Sequence, residues 1–397
     1  MRTAIKAWLG WAFVRIMAIL MGVSAALVVA EIGLRLLGFE YVHYIQPDYD
    51  LGWSLRPGAS GTWTSEGIGH VSINSDGQRD REHQFAKPAK VLRVAVLGDS
   101  FAEAMQVEPA QAFWSVIERE LEKCSACGGR RIETLNFGVS GYGTAQELLM
   151  LRERVWQYSP DIVVLAFYPG NDVSDNIRGL PGARLRPYFY LQHGQFLLDN
   201  SFRQKPRFRN WLSPIGRLRS WLSDHLRVEQ VVNQIKYTIP QRRHSEKGPA
   251  ANSLYQAGIL SDSLNAPKDD KWREGWDVTE RLIETANQEV RSHGATFLLV
   301  IVSDQLQVYP DAAKRARLQK NGGIDDPFYA NRRLEDLGRA DGFAVLDLGE
   351  AFLDYGEGHH VFLHGFANTA MGWGHWNVLG HRLAGEMISA KLCALMQ

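Results

Sequence analysis

From residue 91 onward, short strand-like runs, most of them largely apolar, alternate with longer amphipathic stretches. The runs at 91–97, 131–137, 161–167, 296–302 and 343–348 are bounded by turn residues and predict buried strands. Helices are predicted between and after them at 111–123, 144–158, 273–293, around 327–340, and at 378–395. The first of these places Phe113, Val116, Ile117 and Leu121 on one face. Such alternation implies an α/β fold, a parallel sheet with helices on both faces. Strand order is not readable from the pattern.

The pattern breaks in two places. Residues 38–90 are rich in Gly, Pro, Ser and aromatics, with turn signals at Asp50-Leu51-Gly52-Trp53 and Arg56-Pro57-Gly58. A short strand is expected at 70–74, followed by a polar turn through Asn74-Ser75-Asp76-Gly77, and Lys87-Pro88-Ala89-Lys90 closes the segment. It is expected to be a non-helical lead-in packed on the main domain of 91–397. The second break is an insertion at about 180–270, where basic residues run from Arg203 to Lys247 among Trp211, Ile215, Leu218 and Trp221. One reading is a basic amphipathic lid or a surface resting on anionic lipid. The expectation preferred here is a solvated helical insertion with its apolar face on the domain.

Residues 1–37 form a targeting segment. Arg2, Lys6 and Arg15 precede an uncharged run at 16–30, which falls short of the roughly 20 residues that cross a bilayer. The run suffices if Arg15 snorkels, or if the span continues past Glu31 to Leu37. The early positive charge keeps the N-terminus cytoplasmic and exports the bulk of the chain, to the periplasm or the cell exterior. A cleaved signal peptide ending near Val28-Val29-Ala30 competes with this reading. An uncleaved anchor is preferred because Ile32-Gly33-Leu34-Arg35-Leu36-Leu37 prolongs the apolar helical pattern.

Composition narrows the function. The 397 residues are 45% apolar and 22% charged, as in a globular protein. Lys+Arg and Asp+Glu both number 44, so net charge points to no nucleic-acid partner. Most of the 12 tryptophans are expected in the core, although exposed aromatics also suit stacking on sugar rings. Cys124 and Cys127 form a CxxC without a second pair, which leaves a zinc site short of ligands. A local loop disulfide is expected there if the domain is extracytoplasmic, with Cys393 a buried filler. No metal and no cofactor are expected.

Strand ends carry the candidate chemistry. Gly98-Asp99-Ser100-Phe101 follows the first strand, Gly138-Val139-Ser140-Gly141-Tyr142-Gly143 the second, and Tyr168-Pro169-Gly170-Asn171-Asp172 the third. Gly374-His375-Trp376-Asn377 stands before the last helix. Taken alone, Ser100 is better read as a helix cap than as a nucleophile. In a parallel sheet, however, all these ends lie on one edge, where open α/β sheets bind ligands. A serine becomes a nucleophile when an imidazole takes its proton. The backbone N–H groups of Ser100 and Gly141 and the Asn171 amide are candidate oxyanion donors. A dinucleotide-binding domain is disfavoured, because Asp99-Ser100 stands where G-x-G-x-x-G requires glycines.

These four blocks resemble those of the SGNH, or GDSL-like, hydrolases, from about residue 91 to the C-terminus with a large insertion. The resemblance implies a flavodoxin-like three-layer α/β/α fold and ester hydrolysis without a cofactor. It further implies Ser100 as nucleophile and donor, Gly141 and Asn171 as oxyanion donors, and His375 as base. The anchored form with Asn74-Ser75-Asp76-Gly77 in its lead-in is similar to bacterial cell-envelope members, several of which act on O-acyl groups of polysaccharides. One position departs from the family pattern: Gly372 stands where the last block carries an aspartate. A backbone carbonyl nearby, or Asp347, Asp354 or Glu357, is expected to orient His375 instead, and His381 is a weaker alternative base. The expected function is an exported, membrane-tethered esterase that removes acyl groups, O-acetyl above all, from an envelope glycan. The alternatives are a polysaccharide O-acyltransferase and a non-catalytic envelope binding protein.

Overall fold

The computed structural model describes residues 2–180, 184–246 and 261–397. Its backbone divides into two units, one of residues up to 43 with 210–246, the other of 44–209 with the described residues from 261 on. The chain begins with the long helix α1 (Arg2–Leu36). Two antiparallel hairpins make up the lead-in: β1 (Ile45–Asp48) with β2 (Gly52–Leu55), and β3 (Ser60–Trp63) with β4 (Gly69–Ser72).

The alternating region follows as β5 (Val91–Gly98), α2 (Ser100–Glu103), α3 (Phe113–Leu121), β6 (Arg131–Asn136), α4 (Thr144–Glu153), β7 (Ile162–Phe167) and α5 (Asp172–Asp175). The insertion supplies hairpin β8 (Tyr188–Gln192) and β9 (Gln195–Asp199), then α6 (Pro206–Leu212), α7 (Pro214–His225) and α8 (Arg227–Glu246). Lys247 lies outside the described residues. The chain finishes with α9 (Asp270–Ser292), β10 (Thr296–Ile301), α10 (Gln305–Val308), α11 (Ala312–Asn321), α12 (Tyr329–Asp341), β11 (Ala344–Asp347), α13 (Gly349–His359) and α14 (Val378–Leu395).

The five predicted strands pair in parallel in the order β11-β10-β7-β5-β6. Counted along the chain this is 2-1-3-4-5, the flavodoxin-like order, whose crevice opens between the first and third strands. Here those are β5 and β7. Every residue of β5 is buried, which is why it reads as a continuous apolar run. The exception to apolarity is Arg93. Its guanidinium donates to Glu133 at 2.9 Å and to the carbonyls of Gln84, Phe85 and Tyr158. The same bonds strap the end of the lead-in to the sheet.

Leu92, Val94 and Val96 share one core cluster with Phe113 and Ile117 of α3 and Ile388 and Leu392 of α14. Helices α3 and α14 pack closely because Gly385 has no Cβ to strike the Val116 side chain. The cysteine expectation is corrected here. Cys124 is bonded to Cys393, Cα to Cα 5.9 Å, and the remaining cysteine, Cys127, is a buried thiol. Spacing misled because the partner is brought in by α14 across a sequence separation of 269. Closing so long a loop restricts the unfolded chain strongly. Cys393→Ala is therefore expected to lower unfolding stability by about 2–5 kcal/mol in urea titration. An unchanged midpoint would show that the bond is not formed.

Candidate active site

Ser100 stands at the carboxyl end of β5, where the strand turns at once into α2. Gly98 makes the turn feasible, since a Cβ there would lie 2.9 Å from the Ala102 Cβ and 3.0 Å from the Ala166 carbonyl oxygen. Asp99 is the helix cap, its Oδ1 accepting the Phe101 N–H at 2.8 Å. The capping role that Ser100 might have filled thus falls to its neighbour, and the serine hydroxyl is left for other work.

That hydroxyl lies 2.7 Å from His375 Nε2. The other ring nitrogen, Nδ1, is 2.5 Å from Glu66 Oε2, and the His375 backbone N–H donates to Glu66 Oε1 at 2.8 Å. With Nδ1 donating to the carboxylate, Nε2 is the acceptor for the serine hydroxyl. Burial works against a charge on His375, but the Glu66 carboxylate and its hydrogen bond outweigh that and raise the imidazole pKa above its ordinary value. Burial also disfavours the Glu66 charge, yet His375 lowers its pKa overall.

Glu66 corrects the expected orienting groups. It lies in the turn between β3 and β4, within the lead-in. None of the anticipated carboxylates reaches His375. Asp347 accepts from Asn331 and the Gly349 N–H, Glu357 pairs with Arg315, and Asp354 is exposed on α13. A carbonyl does not serve either, because the carboxylate occupies Nδ1. Gly372 itself has φ +83°, and a Cβ there would lie 2.7 Å from the Tyr309 ring and 2.9 Å from the Phe362 ring. No aspartate fits at that position. Gly374 leaves room for the replacement, since a Cβ on it would strike Glu66 Oε1.

The Glu66 turn is held in place from the far end of the chain. Asn368 accepts the Gly67 N–H at 2.9 Å and donates to the carbonyls of Gly67 and Thr64 at 2.9 and 3.1 Å. The Trp63 indole N–H bonds the Glu66 carbonyl at 3.0 Å. Buried Arg79 ties the lead-in to the turn after α2 through the carbonyls of Glu103 and Val107.

The other predicted residues gather at the same sheet edge. Asn171 follows β7, and its Nδ2 donates to Asp99 Oδ2 at 3.2 Å, which fixes the amide with its nitrogen toward the Ser100 turn and keeps a second N–H in reserve. Gly141 has φ +75°, which a side chain would strain, and a Cβ there would collide with the Arg184 guanidinium. The preceding Ser140 donates to Glu103 on α2. Burial pushes the Glu103 carboxyl up to about 7, against the pull of Ser140 and Arg79. The Phe101 ring packs against His375, centroids 4.9 Å apart.

His381 is not part of this group. It is buried in α14 and stacked on Phe113, and burial lowers its pKa to about 3. His364 is likewise structural. It lies between Ser303 Oγ at 3.1 Å and the Gly374 carbonyl at 2.7 Å, with its pKa lowered to about 4 by burial.

No family model and no curated protein matches the chain. Among solved structures it is similar to an acetyl xylan esterase, AlAXEase, at 12% identity over 76% of this chain and 100% of that one, TM-score 0.37. A GDSL-like lipase from Bacteroides thetaiotaomicron is 13% identical over 79% of this chain and 93% of that one, TM-score 0.35. A lipase/acylhydrolase from Enterococcus faecalis is 15% identical over 77% and 96%, TM-score 0.36.

The Glu66 contact has a spectroscopic consequence. In Glu66→Gln the His375 imidazole loses its anionic partner, so its pKa is expected to fall. Titration of the ring protons by NMR checks this, and an unmoved midpoint would contradict the contact. With its strand order and with the Ser100, Gly141, Asn171 and His375 stretches on one sheet edge, the chain has the architecture that its resemblance to the SGNH, GDSL-like hydrolases implies.

Proposed function

We propose that the protein is a serine esterase in which Ser100 is the nucleophile, His375 the base and Glu66 the group that orients the base. The observation that carries this reading is the unbroken hydrogen-bonded relay from Glu66 through His375 to Ser100. In the first step the Ser100 hydroxyl proton passes to His375 Nε2 as Oγ bonds to the ester carbonyl carbon. The carbonyl oxygen takes the negative charge and faces the Ser100 and Gly141 N–H groups and the Asn171 amide. The proton on Nε2 then moves to the departing alkoxide, leaving an acyl-serine. Water repeats the sequence in reverse and releases the acid.

Glu66 also bears on the choice among functions. Gly372 in place of a carboxylate favours the non-catalytic reading, and Glu66, a carboxylate from the lead-in, supports catalysis instead. The proposed substrate is an ester-linked acyl group, O-acetyl above all, on an envelope glycan. The proposed setting is a catalytic domain outside the cytoplasm, tethered by α1. The long apolar stretch Gly10–Leu36 and the Cys124–Cys393 bond, suited to an oxidising compartment, support that setting.

Hydrolysis of p-nitrophenyl acetate tests the chemistry. Ser100→Ala and His375→Ala are each expected to lose activity by about 10³-fold or more. Unchanged rates in both variants would overturn the reading. The base must be neutral, so kcat/KM is expected to rise with pH through the His375 pKa, with a midpoint above the ordinary 6.5. In Glu66→Gln both the rate and this midpoint are expected to drop. A profile indifferent to Glu66 would remove it from the mechanism.

A further inference from the structure

Helix α7 was expected to bury its apolar side, but that side is exposed. None of its residues is buried. Ile215, Leu218 and Trp221 are 79%, 57% and 53% exposed. At about 100° per residue these three share one side of the helix, and Arg217 and Arg219 flank them, one on either side. Both arginines are exposed. A row of large apolar groups bordered by guanidiniums suits a boundary between hydrocarbon and anionic headgroups better than it suits water.

The neighbouring contacts say where that boundary lies. The stretch of α1 from Trp11 to Glu31 rises about 30 Å, the thickness of a hydrocarbon core. At its first end Arg15 lies 3.3 Å over the Trp11 ring, pointing back out of the span. At its other end Glu31 and Arg35 form an ion pair at 2.7 Å. Both also grip the α7–α8 junction. Arg35 Nη2 donates to the carbonyl of His225, the last residue of α7, at 2.5 Å. Glu31 Oε2 accepts the Val228 N–H in the first turn of α8 at 3.0 Å. Arg227 pairs with Glu40 at 3.1 Å, and Gln230 Oε1 accepts the Tyr41 N–H at the same distance. The exposed apolar row thus begins at the level where α1 leaves the membrane. On α8, Val232 and Ile235 add exposed apolar surface one turn apart.

From this arrangement we infer that α7 lies in the surface of an anionic bilayer, with Ile215, Leu218 and Trp221 in the acyl boundary and Arg217 and Arg219 on lipid phosphates. The inference rests on α1 being a membrane anchor. The occupant is lipid because the row is tied to the end of the span and its charge complements phosphate.

Depth measurement on the full chain tests it. Cys127 is buried and the other two cysteines are bonded to each other, so an added surface cysteine takes a nitroxide label selectively. Labels are placed singly by Leu218→Cys, Ser220→Cys and Val23→Cys, in vesicles of phosphatidylglycerol and phosphatidylethanolamine. Oxygen is expected to relax the label at 218 more than a water-soluble nickel chelate does, with the reverse order at 220 on the opposite side of the helix. A label at 218 as open to nickel as that at 220, while the one at 23 is lipid-buried, would overturn the inference and leave the anchor standing. A nickel-accessible label at 23 would overturn both. Spin–spin broadening at 218 would show a second copy of the chain covering the row, which also contradicts the proposal.

Discussion

One carboxylate holds the candidate site together. Glu66 grips His375 twice, through the backbone N–H and through Nδ1, and so sets the ring plane and its tautomer at once. A histidine without such a hold would sample orientations in which Nε2 misses the Ser100 hydroxyl. The arrangement places a mostly buried negative charge against a group that is positive when protonated, and such a pair is favourable only while both members are present. The lead-in is therefore no ornament on the α/β domain. Its β3–β4 turn completes the site, which is why Asn368 and Arg79 pin it so firmly.

Glycines decide where the carboxylate comes from. At Gly372 the left-handed backbone and the Tyr309 and Phe362 rings leave no space for an acid, and at Gly374 the missing side chain opens the path for Glu66. The same loop thus rejects a local carboxylate and admits a distant one. The two halves of the relay are separated by 309 residues along the chain but meet on one sheet edge.

Much of the fold was legible in the sequence. Buried parallel strands are largely apolar on both faces, so β5, β7 and β10 stood out, β6 and β11 followed from the strand–helix alternation, and the helix at 378–395 was placed to the residue. Ser100, Gly141, Asn171 and His375 could be singled out as candidates because each follows a strand or precedes a helix in a motif with a chemical reason. Glu66 was not, because it sits in an irregular turn among Thr64, Ser65 and Gly67 with no periodicity to mark it. The one signal was the Gly372 departure, which announced a missing partner without saying where to look. The Cys124–Cys393 bond and the outward apolar row of α7 escaped for a related reason. Pairings across long separations, and the side a helix turns to solvent, are decided by tertiary packing rather than by local pattern.

The rate at which a fluorophosphonate modifies Ser100 tests the central claim most directly, because only an activated serine reacts and no substrate need be known. In the unaltered chain the adduct is expected on Ser100, and in Glu66→Gln its rate of formation is expected to fall by about 10²–10⁴-fold at the same pH. Equal rates in the two proteins, or an adduct on another residue, would contradict the relay from Glu66 to Ser100.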